Sequence, residues 1–203
     1  MLSLRNLFTM RACFKQLLFM VTLAAAFAFT RAAQAQALKT NDLELGPAGT
    51  LQVLTPPDWK IYSVDLNLQD QVPVFDLHAP SNSLIIRLYC RWDGFGGKTV
   101  RVGEPEMSTI VSNSVATQYM PVAVEKSFKL EKLRGSAVAG VYARVTDSTW
   151  SPVVNDTNNY PNICEGMFRT ANLWGNFNLL THDKNGVEFK AGLHVLESLR
   201  RKP

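Results

Sequence analysis

The sequence predicts an α+β fold, an antiparallel β-sheet with helices packed on its faces. Three observations carry this. Segments that alternate apolar and polar residues recur between Leu51 and Thr181, the period-2 mark of half-buried strands. Short turn-rich stretches separate most of them, so successive strands pair as hairpins. Two segments instead space apolar residues three and four apart, one after Gly103 and one at the C-terminal end. Helices segregated from a hairpin-built sheet define the α+β class.

Residues 1–35 read as a secretory signal peptide. Arg5, Arg11 and Lys15 form a basic n-region, and the apolar run Leu17–Phe29 is short for a membrane span. Ala33-Gln34-Ala35 then offers a small-x-small cleavage site, with Ala35-Gln36-Ala37 as a second. An uncleaved anchor is the alternative. Cys13 precedes the apolar run, whereas a lipidated cysteine would follow it, which argues against a lipoprotein. The reading implies a periplasmic or secreted protein with no stable membrane insertion after cleavage, and residues 36–203 as a single globular domain.

Within that domain, residues 36–49 read as a loose lead-in ending at Gly46-Pro47-Ala48-Gly49. Leu51–Leu54 is a short strand stopped by Pro56-Pro57, and Trp59–Leu66 resumes as a strand. Val72–Leu77 follows, with Pro73 suggesting a sheet edge. Leu84–Trp92 is the clearest central strand. Leu84, Ile86, Leu88, Cys90 and Trp92 share a buried face, and Arg87 and Arg91 lie on the other. Glu104-Pro105 opens a helix, where proline suits the first turn and glutamate the positive dipole end. Met107, Ile110, Val111 and Val115 form its apolar stripe. Val122–Leu130 alternates as a strand, and a turn at Leu133-Arg134-Gly135-Ser136 leads into Ala137–Thr146. A polar loop spans Ser148–Asn162. Ile163–Ala171 and Leu173–Thr181 form a second hairpin. Val187 to about Arg201 is a final helix with Phe189, Leu193 and Leu196 inward, and with His194, Glu197 and Arg201 outward.

Charge and motifs exclude several functions. The chain has 21 Lys+Arg and 17 Asp+Glu. Four of the bases and none of the acids lie in the leader, so the mature domain is formally neutral and gives no electrostatic reason to bind nucleic acid. Asp93–Thr99 imitates a phosphate loop, but Trp92 stands where the first glycine is required. His78, His182 and His194 share no metal-ligand spacing, and no cofactor is expected. No Gly-x-Ser-x-Gly elbow occurs. Asp76 and His78 share a strand face, where a solvated strand end explains both. Asn155-Asp156-Thr157 fits a glycosylation sequon, a chance match if the leader is bacterial.

Cys90 and Cys164 are the two cysteines left after export. An even count in an oxidising compartment predicts a disulfide between them, closing a loop of about 75 residues; two buried free thiols are the alternative. Trp150, beside Ser151-Pro152, and the outward Arg87 and Arg91 form the candidate binding surface. No catalytic residue is assigned.

The order of elements resembles the PsbP-like α/β/α sandwich, and in particular its exported bacterial branch. A short strand leads into Pro56-Pro57-Asp58-Trp59, and a buried strand ends in Asp93-Gly94. A long helix follows, then hairpins around Leu133-Arg134-Gly135 and Thr146-Asp147. The closing helix ends Val195-Leu196-Glu197-Ser198-Leu199. The resemblance spans nearly all of residues 45–201. It implies a non-catalytic binding or assembly module acting on an unknown protein or small ligand in the periplasm. The competing reading is a small exported hydrolase with a non-local active site.

Overall fold

A computed structural model describes residues 37–64, 72–80, 82–95, 102–151, 159–183 and 185–202. Residues 1–35, read from the sequence as a signal peptide, therefore lie outside the described residues, as do Gly96–Thr99 of the loop after Trp92 and the Asn155–Thr157 sequon. The domain forms one compact unit from Leu38 onward.

Ten strands and two helices make up the described fold. The strands are β1 (Lys39–Glu44), β2 (Thr50–Thr55), β3 (Lys60–Val64), β4 (Val74–His78), β5 (Leu84–Trp92), β6 (Glu131–Arg134), β7 (Ala139–Thr146), β8 (Asn162–Thr170), β9 (Leu173–Thr181) and β10 (Arg200–Arg201). The helices are α1 (Glu104–Ser114) and α2 (Val187–Glu197). Seven strands form one sheet in the order β3-β4-β5-β9-β8-β7-β6, and a second sheet has the order β1-β2-β10. Every pairing is antiparallel. The α+β reading holds.

The two faces of the large sheet carry different cores. Leu77, Ile86, Leu88, Phe168, Phe177 and Leu179 face α2 and the small sheet, meeting Phe189 and Leu196 of α2, Leu199 just after it, and Leu51 and Val53 of β2. Each fully buried side chain of this kind contributes about 1.5–3 kcal/mol. On the opposite face, Met107 and Val111 of α1, with Val115 just after it, pack on Val141, Ala143 and Val145 of β7 and Met167 of β8. The molecule is a three-layer sandwich with the large sheet in the middle.

Four local expectations change. Lys39–Glu44 is a strand and not a loose lead-in, because all six of its residues pair with β2. Strand β4 lies between β3 and β5, not at an edge. Pro73 precedes it, and its carbonyl accepts from the Cys90 N–H at 2.9 Å, so the missing donor costs no ladder bond. Residues 122–130 do not form a strand. The chain leaves α1 through a π-turn (Val115–Tyr119) and a 3-10 turn at Met120–Val122. The Glu125 carboxylate then takes the backbone N–H of Thr146 at 2.7 Å, a bond a neighbouring strand would otherwise accept. Finally, α2 stops at Glu197. The Ser198 hydroxyl accepts from the Leu54 N–H at 2.8 Å, and Arg200 and Arg201 pair with Gln52 and Leu51.

The expected Cys90–Cys164 disulfide does not form. Both thiols are free and buried. Cys90 lies opposite Gly175 of β9, and Cys164 lies opposite Leu179 on the other side of that strand. The two are thus two strands apart and offset by four residues. Strand spacings of about 4.8 Å and a rise of about 3.3 Å per residue separate their Cα atoms by about 16 Å. A disulfide tolerates no more than about 7 Å.

Candidate functional site

Helix α1 lies over β7 and β8. Toward β9, β5 and β4 the same face of the sheet turns polar. The strand register lines up one row across it: Asp76 opposite Arg87, Arg87 opposite Asn178, Asn178 opposite Glu165. A second row sets Tyr89 opposite Asn176, and a third sets Arg91 opposite Trp174 and Trp174 opposite Arg169. Cross-strand neighbours have Cβ atoms about 5 Å apart, so each row is a line of touching side chains.

Asp76, 6% exposed, receives both Nε and Nη2 of Arg87 at 2.7 Å. This bidentate pair raises the Arg87 pKa and fixes its guanidinium against Asp76. Glu165, also 6% exposed, has no cationic partner among the described residues. The Ser114 hydroxyl donates to its Oε1 at 3.3 Å, and the Asn178 amide donates to Oε2. Burial pushes the Glu165 carboxyl above its ordinary value, against the pull of hydrogen bonds from Ser114, Asn178, Tyr119 and Asn176. Tyr119 reaches this cluster because the π-turn at the end of α1 carries it there. Its hydroxyl meets the Asn178 amide at 3.4 Å, and burial, with the nearby Glu165 charge, pushes its pKa up to about 12.

At the end of the face, Arg91 lies over the Trp174 ring at 5.6 Å and donates to Asn176 Oδ1 at 3.3 Å. Arg169 is neutralised by Asp93 at 3.0 Å. It also lines an open cavity of about 410 Å³ between the start of α1 and the Gly135–Ala139 turn. That cavity holds no histidine. Its other charge, Glu104, pairs with Lys132.

Of the expected surface residues, the structure brings Arg87 and Arg91 onto this face but not Trp150. Trp150 sits at the other end of the sheet. Its Nε1 donates to the Asn159 carbonyl at 3.2 Å, and its ring meets His182, the residue after β9. Asp76 and His78 share a face as expected, yet Asp76 is occupied by Arg87. His78 Nε2 stands 4.0 Å from Asp76 Oδ2, and the same ring contacts Asn82 at 3.1 Å and the Tyr62 ring. Glu165, Asn176, Asn178 and Tyr119 were missed. Each is unremarkable in its own segment, and only register unites them. Among the described residues no cluster of three or more His, Cys, Asp or Glu could hold a metal.

No family model and no curated protein matches this chain. Among solved structures, the chain is similar to the solution structure of cyanobacterial PsbP (CyanoP) from Synechocystis sp. PCC 6803. The TM-score is 0.49 at 10% sequence identity, over 82% of this chain and 94% of that one.

Proposed function

We propose that this protein is an exported, non-catalytic binding module of the PsbP-like kind. Its recognition surface is the polar half of the α1-side face. The observation that carries the reading is the row Asp76–Arg87–Asn178–Glu165 with Tyr89, Arg91, Asn176 and Tyr119 beside it, on strands at the centre of the sheet. The opposite face of those same strands is apolar, and α1 continues as an apolar contact over β7 and β8. Fixed, mutually bonded polar groups on a rigid sheet suit recognition of a polar partner.

The hydrolase reading needs a carboxylate and a histidine free to act together. Asp76 and His78 approach to 4.0 Å, but Arg87 occupies both Asp76 oxygens. The other buried carboxylate, Glu165, is surrounded by Ser114, Asn178, Tyr119 and Asn176, none of which exchanges a proton near neutral pH. Export rests on the leader, and it places the unknown protein or small-molecule partner in the periplasm. No described helix is long and apolar enough to cross a membrane.

The test is an isotope-labelled full chain titrated with protein and small-molecule fractions of periplasmic extract. Amide shifts confined to β5, β9 and Tyr119, lost in a Tyr89→Ala/Asn176→Ala variant, are the expected result. Shifts elsewhere, or ester, phosphoester or glycoside hydrolysis abolished by Glu165→Gln, would overturn the proposal.

A further inference from the structure

We propose that the Arg91–Trp174 corner of this face is an anion subsite that takes a carboxylate or phosphate group of a small ligand. The inference rests on the reading of the face as the recognition surface.

Three arginines lie on this side of the sheet in the three rows, and two are neutralised: Arg87 by Asp76 and Arg169 by Asp93. Arg91 is not. It is half-buried, no carboxylate pairs with it among the described residues, and its one hydrogen bond is a 3.3 Å contact to a neutral amide oxygen. A guanidinium has five N–H donors, and taking it out of water without a counter-charge is unfavourable. Directly across the strand pair, the indole Nε1 of Trp174 is buried with no hydrogen-bond partner. A buried donor left unpaired costs about 1–3 kcal/mol.

The two deficits are of one kind. Both are donors without acceptors, and they are adjacent, since Arg91 lies 5.6 Å from the centroid of the ring that carries Nε1. One oxyanion satisfies both. Stacking on the indole holds the fork in place before the ligand arrives, which lowers the ordering cost of a two-point contact. Arg169 on the far side of Trp174 is held by Asp93 and by the Val102 carbonyl at 3.4 Å, so its charge is already matched and Arg91 is left as the cation of this corner. The geometry of a planar fork with a neighbouring N–H suits the flat or tetrahedral oxygens of carboxylate and phosphate.

The experiment follows the indole N–H resonances of the full chain, with that of Trp174 identified by its loss in Trp174→Phe. The chain is titrated with sodium phosphate, sodium acetate and sodium chloride at constant ionic strength. The Trp174 signal should shift saturably with phosphate or acetate and not with chloride. The anion that saturates tells phosphate from carboxylate. Arg91→Gln should weaken the apparent affinity by roughly tenfold or more, the loss of a charge-assisted hydrogen bond, and Arg91→Lys should recover part of it. The Lys variant reads the same loss of the fork if the Gln variant fails to fold. A response shared by chloride is unselective anion association and overturns the subsite, as does no saturable shift, or one that survives intact in both Arg91 variants. If these anions fail while extract fractions still shift β5 and β9, the recognition face stands and the anion subsite alone falls.

Discussion

Glu165 shows how burial on a sheet turns an ordinary acid into a conditional one. The dominant force on it is desolvation, which favours the neutral carboxyl over the ordinary value of 4.5. Because the folded-state pKa lies above the unfolded one, neutral Glu165 contributes its full stabilisation below about pH 4.5. That contribution is lost as pH rises through the raised value. Denaturant unfolding of the wild type and Glu165→Gln between about pH 4 and pH 8 reads it directly. The stability of the wild type relative to the variant should fall with rising pH. A relative stability that rises with pH would mean that the fold prefers the carboxylate. The cysteines make a simpler prediction. Burial pushes the Cys90 thiol up to about 12 and Cys164 well above its ordinary value, so neither should react in the native protein. Denaturation without reductant should expose both as free thiols to an alkylating reagent, read by mass. A linked Cys90–Cys164 peptide would contradict the register that keeps them apart.

The elements differ in how much of themselves they show in sequence. Leu84–Trp92 reads correctly to the residue because one of its faces enters the core through Leu84, Ile86, Leu88 and Cys90 while the other carries Arg87 and Arg91. Lys39–Glu44 does not, since Leu43 is its one buried residue and the strand exists through backbone pairing with β2. Residues 122–130 alternate as well as many strands do. There the bonds of the Glu125 side chain to Thr146 replaced a ladder, and Phe128 and Leu130 were left as half-buried cover for α1. The site follows the same logic. Arg87 and Arg91 were legible as the outward positions of one strand. Their partners Asn176, Asn178 and Glu165 lie on β9 and β8, far along the chain, and period-2 patterning says nothing about register between strands. Helix α2 was legible in face but not in contact depth. Gly192 lets it settle on the sheet, where a Cβ would meet Leu179 at 2.7 Å and Leu84 at 2.9 Å. The close contact therefore shifts from Leu193, which is half-buried, to Gly192, Val195 and Leu196. Leu196→Ala should cost about 2–5 kcal/mol in denaturant melts, more than Leu193→Ala. His194→Ala, on the exposed side, should stay within about 0.5 kcal/mol. Equal losses at Leu196 and His194 would mean that the helix is rotated about its axis, with His194 turned toward the sheet.

At the scale of the molecule, the two ends of the domain close on each other. Strand β2 is the middle of the small sheet, with β1 on one side and β10 on the other, so the start of the domain and its last residues share one hydrogen-bonded unit. Lys202 extends this, donating its N–H to the Thr50 carbonyl at 3.0 Å and its ammonium to Asp42 at 2.6 Å. This arrangement limits where a leader can be removed without harm. The compact unit starts at Leu38 and β1 at Lys39. Both Ala-x-Ala sites lie just before that boundary, and a cut after Ala35 or Ala37 leaves every residue of β1 in place. A cut inside β1 would strip one edge from the small sheet, leave β2 unpaired along that side and remove the buried Leu43 from the core. When the full chain is made in a bacterium with an active secretory pathway, the periplasmic product should begin at Gln36 or Leu38. Intact-mass measurement distinguishes the two. The same product should unfold in a single cooperative transition, because the small sheet and α2 share one core with the large sheet. A chain that keeps Met1 and sediments with the membrane would refute cleavage. An N-terminus beyond Glu44, with unchanged stability, would show that β1 is dispensable to the small sheet.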